Sequence, residues 1–414
     1  MRRIFALRFI IIIVFLLLDW YIFVALRSLL QNSSEKLRTI VLCTHVAISV
    51  ASIIAIFSLS YLSDKTLTRN YVLSFLVMLL VSKVLMALFF FIDDIRRFVI
   101  WMVQKITQPH LGMDSNEGAS ISRSVFLSWI GGALATLFFG SMAYGFSNKY
   151  NYKVKRIKLR FPNLPDAFDG MKIIQISDIH SGSFSNKAAV NKGIDMILNE
   201  KADAILFTGD LVNNRAEEMD DYIDIFSRLN APMGVYSVLG NHDYGDYVDW
   251  PTEKAKVDNL EQLKKIHAKM GWRLLMNEHI ALEKGNQQIA LLGVENWSAS
   301  RSFSRHGKLN EAHAGTEKYP FKILMSHDPS HWDAEIRPKY PDIDLTLSGH
   351  THGMQFGVEL PNFRWSPVKW AYKQWADLYN NGNQKIYVNR GYGFIGYPGR
   401  VGILPEITVI QLNK

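Results

Sequence analysis

Seven side chains in the second half of the chain are of the types that hold metal ions, and each follows a short apolar run. They fall in five blocks: Asp178-Ile179-His180, Gly209-Asp210, Gly240-Asn241-His242-Asp243, Ser326-His327 and Gly349-His350-Thr351-His352-Gly353. Two residues apart on an extended chain, Asp178 and His180 point the same way and can reach one ion. Asp210 offers two oxygens, enough to bridge two cations, although a turn aspartate after glycine has the same signature. The Asn241 amide oxygen can ligate without adding charge. Its neighbour His242 points elsewhere and is free to give a proton, with Asp243 placed to orient that imidazole. His350 and His352, flanked by glycines, form the most specific block, and His327 adds a third imidazole. Mixed His, Asp and Asn sites suit Mn, Fe, Zn or Co. His331 lies close by, but His327 directly follows its apolar run and is the preferred ligand.

The runs before these blocks must place them. Ile173–Ile176, Ala204–Phe207, Val235–Leu239, Ile323–Met325 and Leu345–Leu347 are short and rich in strand formers, and read as buried strands. Sites in layered α/β folds gather on the loops after strand carboxyl ends. Helices are predicted at Lys187–Asn199, Met219–Leu229 and Leu260–Met270, and further strands at Ile289–Val294, Ile386–Asn389 and Glu406–Gln411. This mixture predicts an α/β fold of two packed sheets covered by helices.

The chain has 414 residues, 48% hydrophobic and 20% charged, with an apolar excess before about residue 148. Its one cysteine, Cys43, excludes an intrachain disulfide and a thiolate zinc site. The net charge of +8 is uneven. Residues 1–150 carry 14 Lys+Arg against 7 Asp+Glu, and the rest 32 against 31. The half that bears the chemistry is therefore nearly neutral, which argues against a nucleic-acid partner.

Four stretches are long enough to span a bilayer: residues 4–26, 40–62, 71–92 and 125–146. They define an all-α transmembrane domain over residues 1–148. A basic juxtamembrane linker is predicted at 149–165, and the chemistry-bearing domain at 166–414. Asp19 and Lys83 fall inside spans, and Asp19 reads as snorkelling toward a span end. Four spans leave both termini on one side. That side carries eleven basic residues, Lys65 among them, against seven on the other. The imbalance predicts a multi-pass protein of the cell (inner) membrane with a cytoplasmic second half.

All five blocks, in order, resemble the calcineurin-like metallophosphoesterase superfamily, and within it a membrane-anchored bacterial branch. The resemblance covers roughly residues 168–414. It includes the tail from Tyr387-Val388-Asn389-Arg390-Gly391 through Arg400 to Pro405-Glu406-Ile407. It implies a four-layer αββα sandwich with a dinuclear metal site. In that site Asp178, His180 and His352 hold one divalent ion, Asn241, His327 and His350 the other, and Asp210 bridges them. His242 then matches the catalytic histidine, held by Asp243. Two positions depart from the family pattern: Asn213, where many members have Asp, and Met354, where relatives often have Gly.

The expected activity is hydrolysis of a phosphoester or pyrophosphate bond. The aromatic run Trp365, Trp370, Tyr372, Trp375 and Tyr379, with Lys369 and Lys373, fits either a headgroup-level surface or core packing. On the first reading the substrate is lipid-linked. The alternatives are a soluble nucleotide or phosphodiester substrate, or an inactive membrane scaffold. Arg390 and Arg400 suit either phosphate contact or a structural ion pair.

Overall fold

A computed structural model describes residues 2–62, 66–107, 123–361 and 363–414, so Lys65 lies outside the described residues. The chain divides into two units, Met1–Tyr144 and Gly145–Lys414.

The first unit is built from α1 (Arg2–Leu29), α2 (Glu35–Ser58), α3 (Thr66–Thr107) and α4 (Arg123–Gly145). Each contains a stretch long and apolar enough to cross a membrane. The third helix runs well past the 71–92 span, because Asp93, Arg96 and Arg97 pair along one helix face at i,i+3 and i,i+4 spacing instead of ending it. Asp19 does not snorkel. Its carboxylate lies 2.6 Å from Lys83 Nζ, both side chains are buried, and His45 Nε2 is 3.1 Å from the Asp19 carbonyl. A buried charge is tolerated among apolar helices when an opposite charge meets it.

The second unit is a four-layer sandwich. Its elements in order are β1 (Lys153–Arg160), β2 (Lys172–Ile176), α5 (Lys187–Asn199), β3 (Ala204–Phe207), α6 (Ile223–Phe226), β4 (Val235–Ser237), α7 (Glu253–Lys269), β5 (Arg273–Leu274), β6 (Glu278–Lys284), β7 (Gln287–Gly293), α8 (Leu309–His313), β8 (Lys322–Met325), α9 (Arg337–Lys339), β9 (Leu345–Ser348), β10 (Val358–Leu360), β11 (Phe363–Trp365), β12 (Asp377–Asn381), β13 (Gln384–Val388) and β14 (Glu406–Asn413). One six-stranded sheet has the order β1-β14-β2-β3-β4-β5, the other β12-β13-β9-β8-β7-β6. Ile173, Leu206 and Ile410 of the first sheet pack against Leu291, Ile323 and Leu347 of the second, forming the central core. Ile194, Phe226 and Leu263 cover the outer face of the first sheet, and Leu309, Trp332 and Ile336 cover that of the second.

The predicted linker at 149–165 is not a linker. Lys153–Arg160 pairs in parallel with Glu406–Asn413, which makes β1 an edge strand of this unit. Ile157 and Leu159 face the central core and alternate with Arg156, Lys158 and Arg160, the pattern of a half-buried edge strand. The predicted helix at Met219–Leu229 shrinks to a 3₁₀ turn and the short α6. By contrast α7 begins earlier than predicted, at Glu253, where the Thr252 side chain accepts the Ala255 amide.

Candidate metal centre

Strands β2, β3 and β4 run parallel in one sheet, and β8 and β9 run parallel in the other. Their carboxyl ends deliver all five blocks to one edge of the sandwich. The loops there meet backbone to backbone. Asp178 N–H donates to the Gly209 carbonyl at 2.9 Å, and Gly349 N–H to the His327 carbonyl at 2.9 Å. Gly209 has φ +98°, and a Cβ there would sit 2.6 Å from the Gly240 amide nitrogen, so only glycine fits.

Five candidate ligands also hold left-handed backbone: Asp178, His180, Asp210, His350 and His352, with φ between 49° and 70°. Each such non-glycine residue costs about 1–3 kcal/mol, and strain of this kind gathers at functional sites. It aims these side chains inward off the strand ends.

The side chains form two clusters. Asp178, His180 and His352 make one; Asp210, His327 and His350 make the other. In the first, His180 Nε2 lies 3.0 Å from His352 Nε2, which lies 3.2 Å from Asp178 Oδ1. In the second, His350 Nδ1 lies 3.3 Å from His327 Nε2 and 2.8 Å from Asn241 Oδ1. Asp210 Oδ2 stands between the clusters, 3.5 Å from His180 Nε2 and 3.2 Å from His327 Nε2. Ligands at about 2.1 Å from one ion lie roughly 3.0–3.4 Å from one another. The donor atoms are already near that spacing, and all are N or O, as a borderline or hard divalent ion requires.

Burial and charge act against each other on these groups. Burial holds His180 and His350 below the ordinary imidazole value, so both are neutral rings with a lone pair to give. It opposes charge on His327 too, but Asp210 and Asp178 outweigh it and push that ring up to about 10. Burial would raise Asp178 and Asp210, yet the neighbouring imidazoles hold both below the usual carboxylate range.

The groups around the clusters orient them. His327 Nδ1–H donates to the Thr208 carbonyl at 2.8 Å, which turns Nε2 toward Asp210. Asn241 Nδ2–H donates to Tyr247 Oη at 2.8 Å, which turns the amide oxygen toward His350. Tyr372 Oη lies 2.7 Å from His350 Nε2, with the buried Asp328 carboxylate 3.6 Å away. Arg400 is fully buried, donates to the Arg390 carbonyl at 2.8 Å and lies 3.2 Å from His352 Nδ1.

His242 and Asp243 do not form the expected pair. The His242 ring is partly exposed beside His180, with centroids 5.0 Å apart. Its Nδ1–H donates to the Asn213 carbonyl at 2.8 Å. Asp243 is fully buried and accepts the amides of Gly240, Asp210, Leu211 and Val212 at 2.8–3.3 Å. A carboxylate in a tight turn is drawn to the amides that converge on it, and here they outnumber the single ring donor.

The remaining candidates divide. Arg390 is structural, bonded to Glu406 and Asp377 at 2.6 Å. His331 stacks on Trp297 at 4.3 Å and bonds Ser326 Oγ, away from both clusters. In the aromatic run, Trp375 is core, Tyr372 belongs to the site and Trp370 is 75% exposed. Sequence reading missed Tyr247 and Asp328 altogether. Asp328 could have been flagged, since it directly follows His327.

The chain matches two family models. Residues 1–149 match a probable calcineurin-like phosphoesterase transmembrane domain, and residues 171–354 match the calcineurin-like phosphoesterase domain. The chain belongs to the calcineurin-like metallophosphoesterases. The family makes it a phosphoric ester hydrolase, and the amino-terminal match makes it a membrane protein. Among its relatives is an uncharacterised metallophosphoesterase of Bacillus subtilis, YkuE, 29% identical over 71% of this chain and 98% of its own length. A second B. subtilis protein, YkoQ, is 25% identical over 68% of this chain and 98% of its own. A transmembrane protein with metallophosphoesterase domain from Danio rerio is 27% identical over 63% of this chain and 57% of its own length.

Proposed function

We propose that this metallophosphoesterase works with two divalent ions and cleaves a phosphoester or pyrophosphate of a lipid-linked substrate. The observation that carries the dinuclear reading is the position of Asp210 Oδ2, within 3.5 Å of a ring nitrogen from each cluster. Asp178, His180 and His352 would hold one ion, Asn241, His327 and His350 the other, and Asp210 both. Bound there, the ions would supply acidity to water at neutral pH and neutralise charge on the phosphoryl oxygens.

The chain's own groups do the rest. Asp210 needs both oxygens: Oδ2 faces the rings, and Oδ1 accepts the His242 amide at 2.8 Å. That bond draws the His242 turn against the site. With Nδ1 committed to the Asn213 carbonyl, Nε2 is the His242 atom that hands a proton to the leaving oxygen. Tyr372 and Asp328 hold His350 in place, and Arg400 backs His352.

Four spans are more anchor than a soluble substrate needs, and the near-neutral catalytic unit has little means of gathering polyanions. Both points favour a substrate that resides in the membrane. The basic-residue count supports a cytoplasmic catalytic unit at the inner membrane.

The test is turnover of aryl phosphodiesters and of lipid-linked phosphoesters by the full-length protein with added Mn²⁺. Activity should vanish with chelator, and the bound metal should approach two ions per chain. One ion per chain in the active protein would refute the dinuclear reading. Preference for the soluble ester would refute the lipid reading. A reporter fused after Lys414 that is active only outside the cytoplasm would refute the orientation.

A further inference from the structure

The β10–β11 hairpin is built inside out. Its register pairs Val358 with Trp365, Glu359 with Arg364 and Leu360 with Phe363. Side chains alternate faces along a strand, so the polar pair shares one face and the apolar pairs the other. The polar face is turned inward: Glu359 and Arg364 join Lys155, Asp377 and Arg390 in one ion-pair cluster. The apolar face is left to solvent, with Leu360 59% and Phe363 55% exposed.

This exposure is concentrated. Among the described residues of the second unit, seven large apolar side chains are exposed, and five of them lie between Met354 and Trp370. Trp370 packs edge-on against Trp365, and Lys369 beside it is exposed. An apolar patch of this kind, carrying tryptophan and a cation, is the composition of a lipid-headgroup surface.

The position of the hairpin names the occupant. The last apolar stretch ends at Asn148. Just before that end, the Gly145 carbonyl accepts the Arg400 amide at 2.9 Å, and Phe146 packs on Tyr397 at 5.4 Å. The 397–401 loop then holds the base of the hairpin: Gln355 Nε2–H donates to the Tyr397 carbonyl at 2.6 Å, and Gly357 N–H to the Val401 carbonyl at 2.9 Å. A short run of hydrogen bonds thus ties the residues that end the last span to the hairpin, and His350 and His352 open the same segment.

We infer that the apolar face of the β10–β11 hairpin, with Trp370, docks into the lipid headgroup layer of the bilayer that anchors the chain. The docked segment brings the metal-centre edge to the membrane surface. A substrate whose phosphate lies at headgroup depth can then enter without leaving the bilayer. Only this last consequence rests on the lipid-substrate reading.

The experiment uses full-length protein with Cys43→Ser in phosphatidylcholine–phosphatidylglycerol vesicles. A fluorophore is placed at Phe363→Cys or, as a control on the exposed face of α7, at Val257→Cys. Quenching by acyl-chain nitroxide lipids should be several-fold stronger at position 363 than at 257, and quenching by aqueous iodide weaker. Iodide quenching at 363 equal to that at 257, without lipid quenching, overturns docking. Shielding at 363 from both quenchers also overturns it, because protein would then cover the hairpin. In a second arm, Leu360→Asp with Phe363→Asp should lower kcat/KM on a vesicle-borne phosphoester about tenfold and leave a soluble aryl phosphodiester unchanged. Equal losses on both substrates would mean that the hairpin shapes the site instead of docking. Lipid quenching without any turnover of vesicle-borne esters would leave docking standing and remove only the lipid-substrate reading.

Discussion

Asp243 Oδ2 accepts the Asp210 amide at 3.0 Å, while the Asp210 carboxylate accepts the His242 amide at 2.8 Å. The two aspartates therefore clasp the loops after β3 and β4 from opposite directions. One buried side chain holds the backbone that carries the other.

Asp243→Ala should thus act on the framework of the site. It removes the acceptor for four buried amides and should lower stability by about 2–4 kcal/mol, since a buried amide left without its acceptor costs about 1–3 kcal/mol before relaxation. Metal affinity should fall with it, by about 10–100-fold. Calorimetry and metal titration check this. A variant of normal stability and metal content that is slow in catalysis would restore the His242-orienting role.

Asp210→Asn and His350→Ala should lose metal and activity together. His242→Ala should keep its metal and lose about 10²–10⁴-fold in kcat, the range for a missing proton donor. Metal analysis beside steady-state kinetics separates the two groups, and loss of metal in His242→Ala would contradict the assigned role.

Tyr372→Phe keeps the ring and removes only the hydroxyl 2.7 Å from His350 Nε2. Metal affinity should drop about tenfold or more at unchanged thermal stability. Competition with a chelator measures it, and an unchanged affinity would make the contact incidental.

The buried Asp19–Lys83 pair should behave as a unit. Lys83→Met leaves the Asp19 charge unpaired among apolar helices and should destabilise the first unit by about 3–5 kcal/mol. Adding Asp19→Leu should recover much of that loss. Thermal unfolding of the full-length protein in detergent provides the comparison, and equal loss in the single and double variants would show that the pair is not coupled.

Acid should loosen the cluster at the base of the hairpin. Burial would raise the Asp377 carboxyl, but Arg390, Lys155 and Arg364 hold it well below the usual range. A depressed folded value means that the pair stabilises above about pH 4, the unfolded aspartate value, and that this contribution is lost as pH falls below it. Arg390→Met should move the midpoint of acid unfolding upward, as followed by circular dichroism.

The five strands that end at ligands were legible in the chain because each is a short apolar run closed by a glycine or polar turn. All seven candidate ligands were legible because Asp, His and Asn at strand ends have few structural reasons to gather there. The four spans were legible from length and hydropathy alone. Four features needed the folded chain. Pairing of β1 with β14 joins residues 153–160 to 406–413, and nothing local to Lys153–Arg160 announces a partner so distant in sequence. The choice of Asp243 between a ring and four amides depends on how two loops approach, which is set by the packing of β3 beside β4. Tyr372 reaches His350, and Asp19 reaches Lys83, across helices and turns that composition cannot orient. Residue types and their spacing determine which groups can take part, because that is a matter of local chemistry. Which partner each group takes is decided by distances that only tertiary packing sets.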